Sequence, residues 1–94
     1  MSEYVAFDWD GANCGHVREA GVEPRESEEA VLDPQRIPRD VYNVGRELRR
    51  GVIGRAENGR VLFVVLTMRE RKTRVITARD ATAMELRRYR RRGK

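Results

Sequence analysis

The sequence predicts an α+β domain: an antiparallel β-sheet of about four strands with two N-terminal helices and a C-terminal helix packed on it. Three observations carry this. Two consecutive apolar runs in the last third of the chain, Val61–Leu66 and the segment after Thr73, are separated only by a charged turn. Between Asp10 and Pro34 the chain holds helix-capping and helix-stopping residues, and a capping box opens the last segment. The expected order is β-α-α-(β)-β-β-β-α.

Tyr4 to Trp9 alternates, with Val5, Phe7 and Trp9 on one side, which predicts a first strand. Asp10 is placed to cap a short helix over 11–20, and Gly21 to stop it. Gly11 and Gly15 weaken that helix, so packing must hold it. Pro24 opens a second helix running to about Leu32, with Glu26, Glu28 and Glu29 in the early turns, where the helix dipole favours acids. Asp33-Pro34 and Ile37-Pro38 then predict a loop or an edge strand. A short strand over 49–55 leads into the hairpin turn Glu57-Asn58-Gly59. The segment 60–68 has no polar residue between Arg60 and Thr67 and so reads as a central strand covered on both faces. Glu70–Lys72 turns the chain into a last strand over 73–79. Thr82 and Glu85 then form the capping box of a helix whose apolar content is Met84, Leu86 and Tyr89.

Ninety-four residues allow one domain, 1–94, with a modest core. The longest apolar run has six residues, far short of a membrane span, and acids stand where a signal peptide would carry lysines. A cytoplasmic protein is expected. Cys14 is the only cysteine, which leaves no intramolecular disulfide and argues against a cysteine metal site. Histidine spacing offers no metal site either and no glycine-rich phosphate loop follows a strand, so no cofactor is expected.

The net charge of +5 conceals a strong asymmetry. Residues 1–33 carry nine acids against Arg18 and Arg25, whereas residues 34–94 carry eighteen basic and six acidic side chains. All of the positive charge is arginine except Lys72 and Lys94. Arginine forks onto phosphates and stacks on bases, so the second half suits a polyanion or an acidic partner, or else forms an ordinary solvated surface.

The opening FDWDGANCGHVREAGV resembles the WD-x-x-N-x-x-H start of BrnT-type toxins, RelE-like ribonuclease toxins of type II toxin–antitoxin systems. The centre is similar to that family at Arg49, Gly54, Gly59, Arg60, Thr67 and Arg69, and the ending at Arg74, Thr77, Ala78, Arg79, Glu85 and Tyr89. The resemblance implies a RelE-like fold and a growth-inhibiting, metal-independent endoribonuclease that cleaves RNA, mRNA foremost, through 2′-hydroxyl attack. It also implies a cognate antitoxin, ribbon-helix-helix and BrnA-like, with operator DNA reached only through that antitoxin. The family's histidine or lysine before Gly21-Val22 is Ala20 here, which motivates an alternative: a catalytically degenerate module that only binds antitoxin or nucleic acid.

Such a reaction needs a base near the 2′-hydroxyl, an acid near the leaving oxygen and cations around phosphorus. Arg49, Arg69 and Arg79 are the catalytic cations expected, and Arg50, Lys72, Arg74 and Arg88 the RNA-binding ones; any of them could instead pair with an acid of the first half. Tyr89 could donate a proton, stack a base or fill the core, and Glu85 could be a base or simply a cap. Glu47 is similarly open. His16 is expected to be structural, hydrogen-bonded to the first strand or its acids.

Overall fold

The structure, a computed structural model, describes residues 6–92. Four strands form one antiparallel meander: β1 (Ile37–Val44), β2 (Glu47–Arg55), β3 (Val61–Arg69) and β4 (Lys72–Asp80), in the spatial order β1-β2-β3-β4. Helices α1 (Gly11–Glu19) and α2 (Pro24–Leu32) precede the sheet and α3 (Ala83–Arg90) follows it.

The expected first strand is corrected. Tyr4 and Val5 lie outside the described residues, and Phe7 makes one isolated parallel bridge, to Thr73. Thr73 N–H donates to Ala6 O at 2.6 Å and Asp8 N–H to Thr73 O at 2.9 Å, after which Asp10 starts α1 and pairing ends. This segment therefore closes the β4 edge of the meander. At the opposite edge, β1 resolves the loop-or-strand alternative as a strand: Pro38 lacks an N–H, which an edge tolerates.

Capping follows the local sequence. The Asp10 side chain accepts from Ala12 and Asn13 N–H, while Thr82 Oγ1 accepts from Glu85 N–H as the Glu85 carboxylate receives Thr82 N–H. Gly21, at φ +80°, lets the chain leave α1 in the left-handed conformation expected of a helix stop.

The core lies between α1, α2 and one face of the sheet. Val17, Val22, Ala30 and Val31 pack against Val52, Leu62, Val64, Leu66, Val75 and Ala78. Gly54 permits this closeness: a Cβ there would lie 1.9 Å from the Ala30 carbonyl oxygen, so α2 rests on the β2 backbone itself. Asn13 joins the layers. Its buried amide donates to Asp8 O at 2.9 Å and to Val75 O at 3.0 Å, and its carbonyl accepts Asp10 N–H. Trp9 Nε1 donates to Glu28 at 2.6 Å, tying the entry of α1 to α2. Arg60 forms a second tie, donating to Gly21 O, to both oxygens of Glu26 and to Asp80.

Candidate active site

The second face of the sheet is covered by α3 only at one end, where Leu86 and Tyr89 lie beside Arg55 and Val61. The remainder is built of cross-strand rows in which Ile53, Val65 and Thr67 are buried and Tyr42, Thr77 and Arg79 are exposed. Tyr42, Arg49, Thr67 and Arg74 form one row; Arg39, Gly51, Val65 and Thr77 the next; Ile37, Ile53, Phe63 and Arg79 the third. Adjacent strands stand about 4.8 Å apart and same-face residues about 6.8 Å apart along a strand, so the rows place the backbones of Arg49, Arg74 and Arg79 near one another on one face.

Two bulges create this arrangement. The register shift between Arg39 and Val41 leaves Asp40 unpaired, so Arg39 and Tyr42 share a face although three residues apart. The shift opposite Val65 and Leu66 does the same at Ile76, giving Arg74, Thr77 and Arg79 one face while Val75 and Ala78 enter the core. With strict alternation along β4, Arg74 and Arg79 would point to opposite sides.

Each arginine is oriented by a carboxylate. Arg49 and Arg69 hold opposite oxygens of Glu47, each at 3.2 Å. The Arg49 hydrogen bond, reinforced by Arg69, holds the Glu47 carboxyl below its ordinary pKa. Buried Arg74 bridges Asp10 at 2.9 Å and Asp8 at 3.5 Å. Asp10 is also held below its ordinary value, chiefly by the Asn13 N–H and then by Arg74. Arg79 forks onto both oxygens of Glu85, at 2.8 and 3.0 Å, and its guanidinium lies 4.5 Å from the centre of the Phe63 ring. The Arg79–Glu85 hydrogen bonds raise Arg79 and lower Glu85 from their ordinary values. Gly51 leaves room for Phe63, since a Cβ there would approach the ring to 2.8 Å.

Not every residue expected at the site reaches it. Arg49, Arg69, Arg74 and Arg79 share the open face, with Lys72 exposed beside Arg69 at its rim. Arg50 lies on the other face, in register with Val41 and Leu66 beside Pro38 and Val52. Arg88 is exposed on α3. Tyr89 is buried at the covered end, and its hydroxyl donates to Asp33 at 2.5 Å, turned away from the arginine rows. Burial first, then the Asp33 carboxylate, push the Tyr89 hydroxyl up to about 12. Burial raises Asp33, yet donors from Tyr89, Gln35 and Arg55 outweigh it and hold that carboxyl low. His16 departs from expectation: it is exposed on α1, and its side chain makes no hydrogen bond among the described residues. Arg39 belongs to the face as well; its proline-flanked segment carries no sequence signal for this, because its orientation depends on the Asp40 bulge.

Among the described residues no three His, Cys, Asp or Glu side chains gather as a metal-holding group, and no helix is long and apolar enough to cross a membrane. The sheet face carries guanidinium groups, those of Arg49, Arg69, Arg74 and Arg79 each paired with a carboxylate. The sequence model of a family described as "Ribonuclease toxin, BrnT, of type II toxin-antitoxin system" matches residues 9–85. The chain belongs to the BrnT family. No curated protein matches the chain. The BrnT match takes in the open-face arginines and Glu85, and stops before Tyr89 and the arginine-rich remainder of α3. As a member of a type II toxin family, the chain has an antitoxin as its partner.

The Ala20 departure falls elsewhere. Ala20 caps α1 in the helix layer, next to Gly21, whose carbonyl accepts from Arg60. From Asp10, which meets Arg74, it is a full helix length away, about 14 Å.

Proposed function

We propose that this BrnT-family toxin cleaves RNA, mRNA foremost, at the open sheet face, by metal-independent attack of the ribose 2′-hydroxyl on the adjacent phosphate. It acts in the cytoplasm until a ribbon-helix-helix, BrnA-like antitoxin covers it. The observation that carries this reading is the strand register that puts Arg49, Arg74 and Arg79 on one sheet face, each held in place by a carboxylate. Preorganised cations stabilise the extra negative charge that builds on phosphorus as the 2′-oxygen bonds to it. Fixed guanidinium groups do so without reorganising during the reaction.

Glu47 is the proton acceptor in this scheme. Its two contacts, to Arg49 and Arg69, are single and half-exposed, so one oxygen can turn to a ribose. Glu85 is less suited, because Arg79 and the Thr82 N–H occupy both of its oxygens. The departing 5′-oxygen is hydrogen-bonded by Arg79 and takes its proton from solvent. Tyr89 serves α3 rather than the reaction, with its hydroxyl held by Asp33.

The test is expression without antitoxin, followed by growth and RNA integrity, and then cleavage of a defined RNA by purified protein with chelator present. Growth arrest and chelator-resistant cleavage are expected, with 2′,3′-cyclic phosphate ends. Arg49→Ala and Arg74→Ala should each lower the rate constant about 10²–10³-fold. Intact RNA from a folded wild-type protein would overturn the reading.

A further inference from the structure

Helix α3 carries a stripe whose spacing normally belongs to a buried face. Met84, Arg87, Arg88 and Arg91 stand at i, i+3, i+4 and i+7, and all four are exposed, Met84 to 71%. The apolar contacts of α3 lie elsewhere on its surface, through Leu86 and Tyr89. The arginine stripe faces β1 instead, and with Arg39 and Glu85 it lines a groove of about 370 Å³. Glu85 is the only acid in this lining, and it is already bound bidentately to Arg79.

Among the described residues, Arg39, Arg87, Arg88 and Arg91 make no ion pair, and the buried Nε of Arg39 has no hydrogen-bond partner. Cations at i,i+4, such as Arg87 and Arg91, repel one another, so the stripe lowers the stability of the isolated chain unless an anion occupies the groove. The other arginines near this end are engaged: Arg92 covers the Tyr89 ring at 3.9 Å and donates to Tyr89 O and Gln35.

We infer that the groove between β1 and α3 is a second phosphate-binding site, which holds the phosphodiester backbone of single-stranded RNA flanking the bond to be cut. This rests on the ribonuclease reading above and extends it. Arg39 belongs both to the row beside Val65 and to the groove, so a strand leaving the reaction site over Arg39 enters the groove directly. Along α3, Arg87 and Arg91 are one turn apart, about 6 Å, and Arg88 lies between them, which gives a run of donors rather than a pocket for one anion. Arginine binds such a backbone through charge and forked hydrogen bonds without reading sequence. The groove therefore sets how long a strand the toxin prefers, and leaves the choice of bond to the open face.

The experiment compares wild type with the triple variant Arg87→Gln/Arg88→Gln/Arg91→Gln on a dinucleotide and on a twelve-nucleotide RNA. For the longer RNA, KM should rise at least tenfold with kcat nearly unchanged, and dinucleotide cleavage should be unaltered. The slope of log affinity against log salt should become shallower by about 2, as expected when three single-strand phosphate contacts are lost. The three side chains are exposed, so the melting temperature should hold, which separates lost binding from lost fold. Unchanged KM and salt slope would overturn the inference. So would an unchanged RNA affinity with weakened antitoxin binding, which would assign the groove to the protein partner. If the wild type cuts neither RNA, the ribonuclease reading fails by itself, and the affinity and salt slope for the twelve-nucleotide strand still decide the groove.

Discussion

Asn13 and Tyr89 are buried polar residues with opposite chemical consequences. Asn13 satisfies the Asp8 and Val75 carbonyls from one amide, and replacing it leaves a buried acceptor in the sheet without a partner. Asn13→Ala should cost about 2–4 kcal/mol, read as a lower urea midpoint, and should loosen Arg74 through its Asp8 and Asp10 partners. Tyr89 is instead stabilised as the neutral phenol, with its hydroxyl pushed from 10.0 to about 12. A folded-state value above the unfolded one gives stability that is complete below pH 10 and is lost as pH rises from about 10 to about 12. The loss should be on the order of 2–3 kcal/mol. In Tyr89→Phe, melting temperature should vary less across that alkaline window, and RNA cleavage should be retained at neutral pH. A Tyr89→Phe protein that folds but cannot cut RNA would return the hydroxyl to the reaction.

At the scale of elements, two glycines and two bulges set the geometry. Gly54→Ala forces a Cβ against the Ala30 backbone carbonyl, which cannot yield without displacing α2, and should cost about 3 kcal/mol or more in chemical denaturation. Gly51→Ala meets only the rim of the Phe63 ring, so its effect should be smaller on stability and larger on Arg79, whose guanidinium rests on that ring. Much of the element layout was legible in the sequence because its signals are local: Asp10, Gly21, Pro24, the Glu57-Asn58-Gly59 turn and the Thr82–Glu85 box each specify a boundary through nearby backbone groups. Strand register was not. The bulges at Asp40 and Ile76 depend on what lies across the ladder, so the face on which Arg39 and Arg74 appear is decided by partners distant in sequence. The same limit hid the Tyr89 contact, since its partner, Asp33, is 56 residues away.

For the whole molecule, the charge asymmetry of the chain becomes a pairing of its two halves. Asp8 and Asp10 meet Arg74, and Glu26 meets Arg60, so acids of the helical half hold arginines of the sheet half. Glu26 is held below its ordinary value first by the Glu23 N–H and then by Asn58 and Arg60. With Asp10, Asp33, Glu47 and Glu85 it forms a set of carboxylates whose folded-state values are depressed. Their stabilisation is present above the ordinary carboxylate range and is lost as pH falls through the depressed values. The urea midpoint should therefore hold between pH 7 and about 5 and drop steeply below about 4. A midpoint insensitive to acid would mean that these pairs contribute nothing to the folded state.

The closure of the β4 edge by the segment around Asp8 has a consequence in time. Asp8 and Arg74 are 66 residues apart, and Asn13 and Val75 are 62 apart. During synthesis at 5–20 residues per second, the early segment waits roughly 3–13 s for the strand it must join. Arg74 cannot be set in place before then, because its two acids belong to that waiting segment. A nascent chain interrupted before β4 thus carries Arg49 and Arg69 but lacks the Arg74 arm of the proposed site. If the reaction runs at the proposed site, activity has to wait for β4 to be made and to pair with the segment around Asp8.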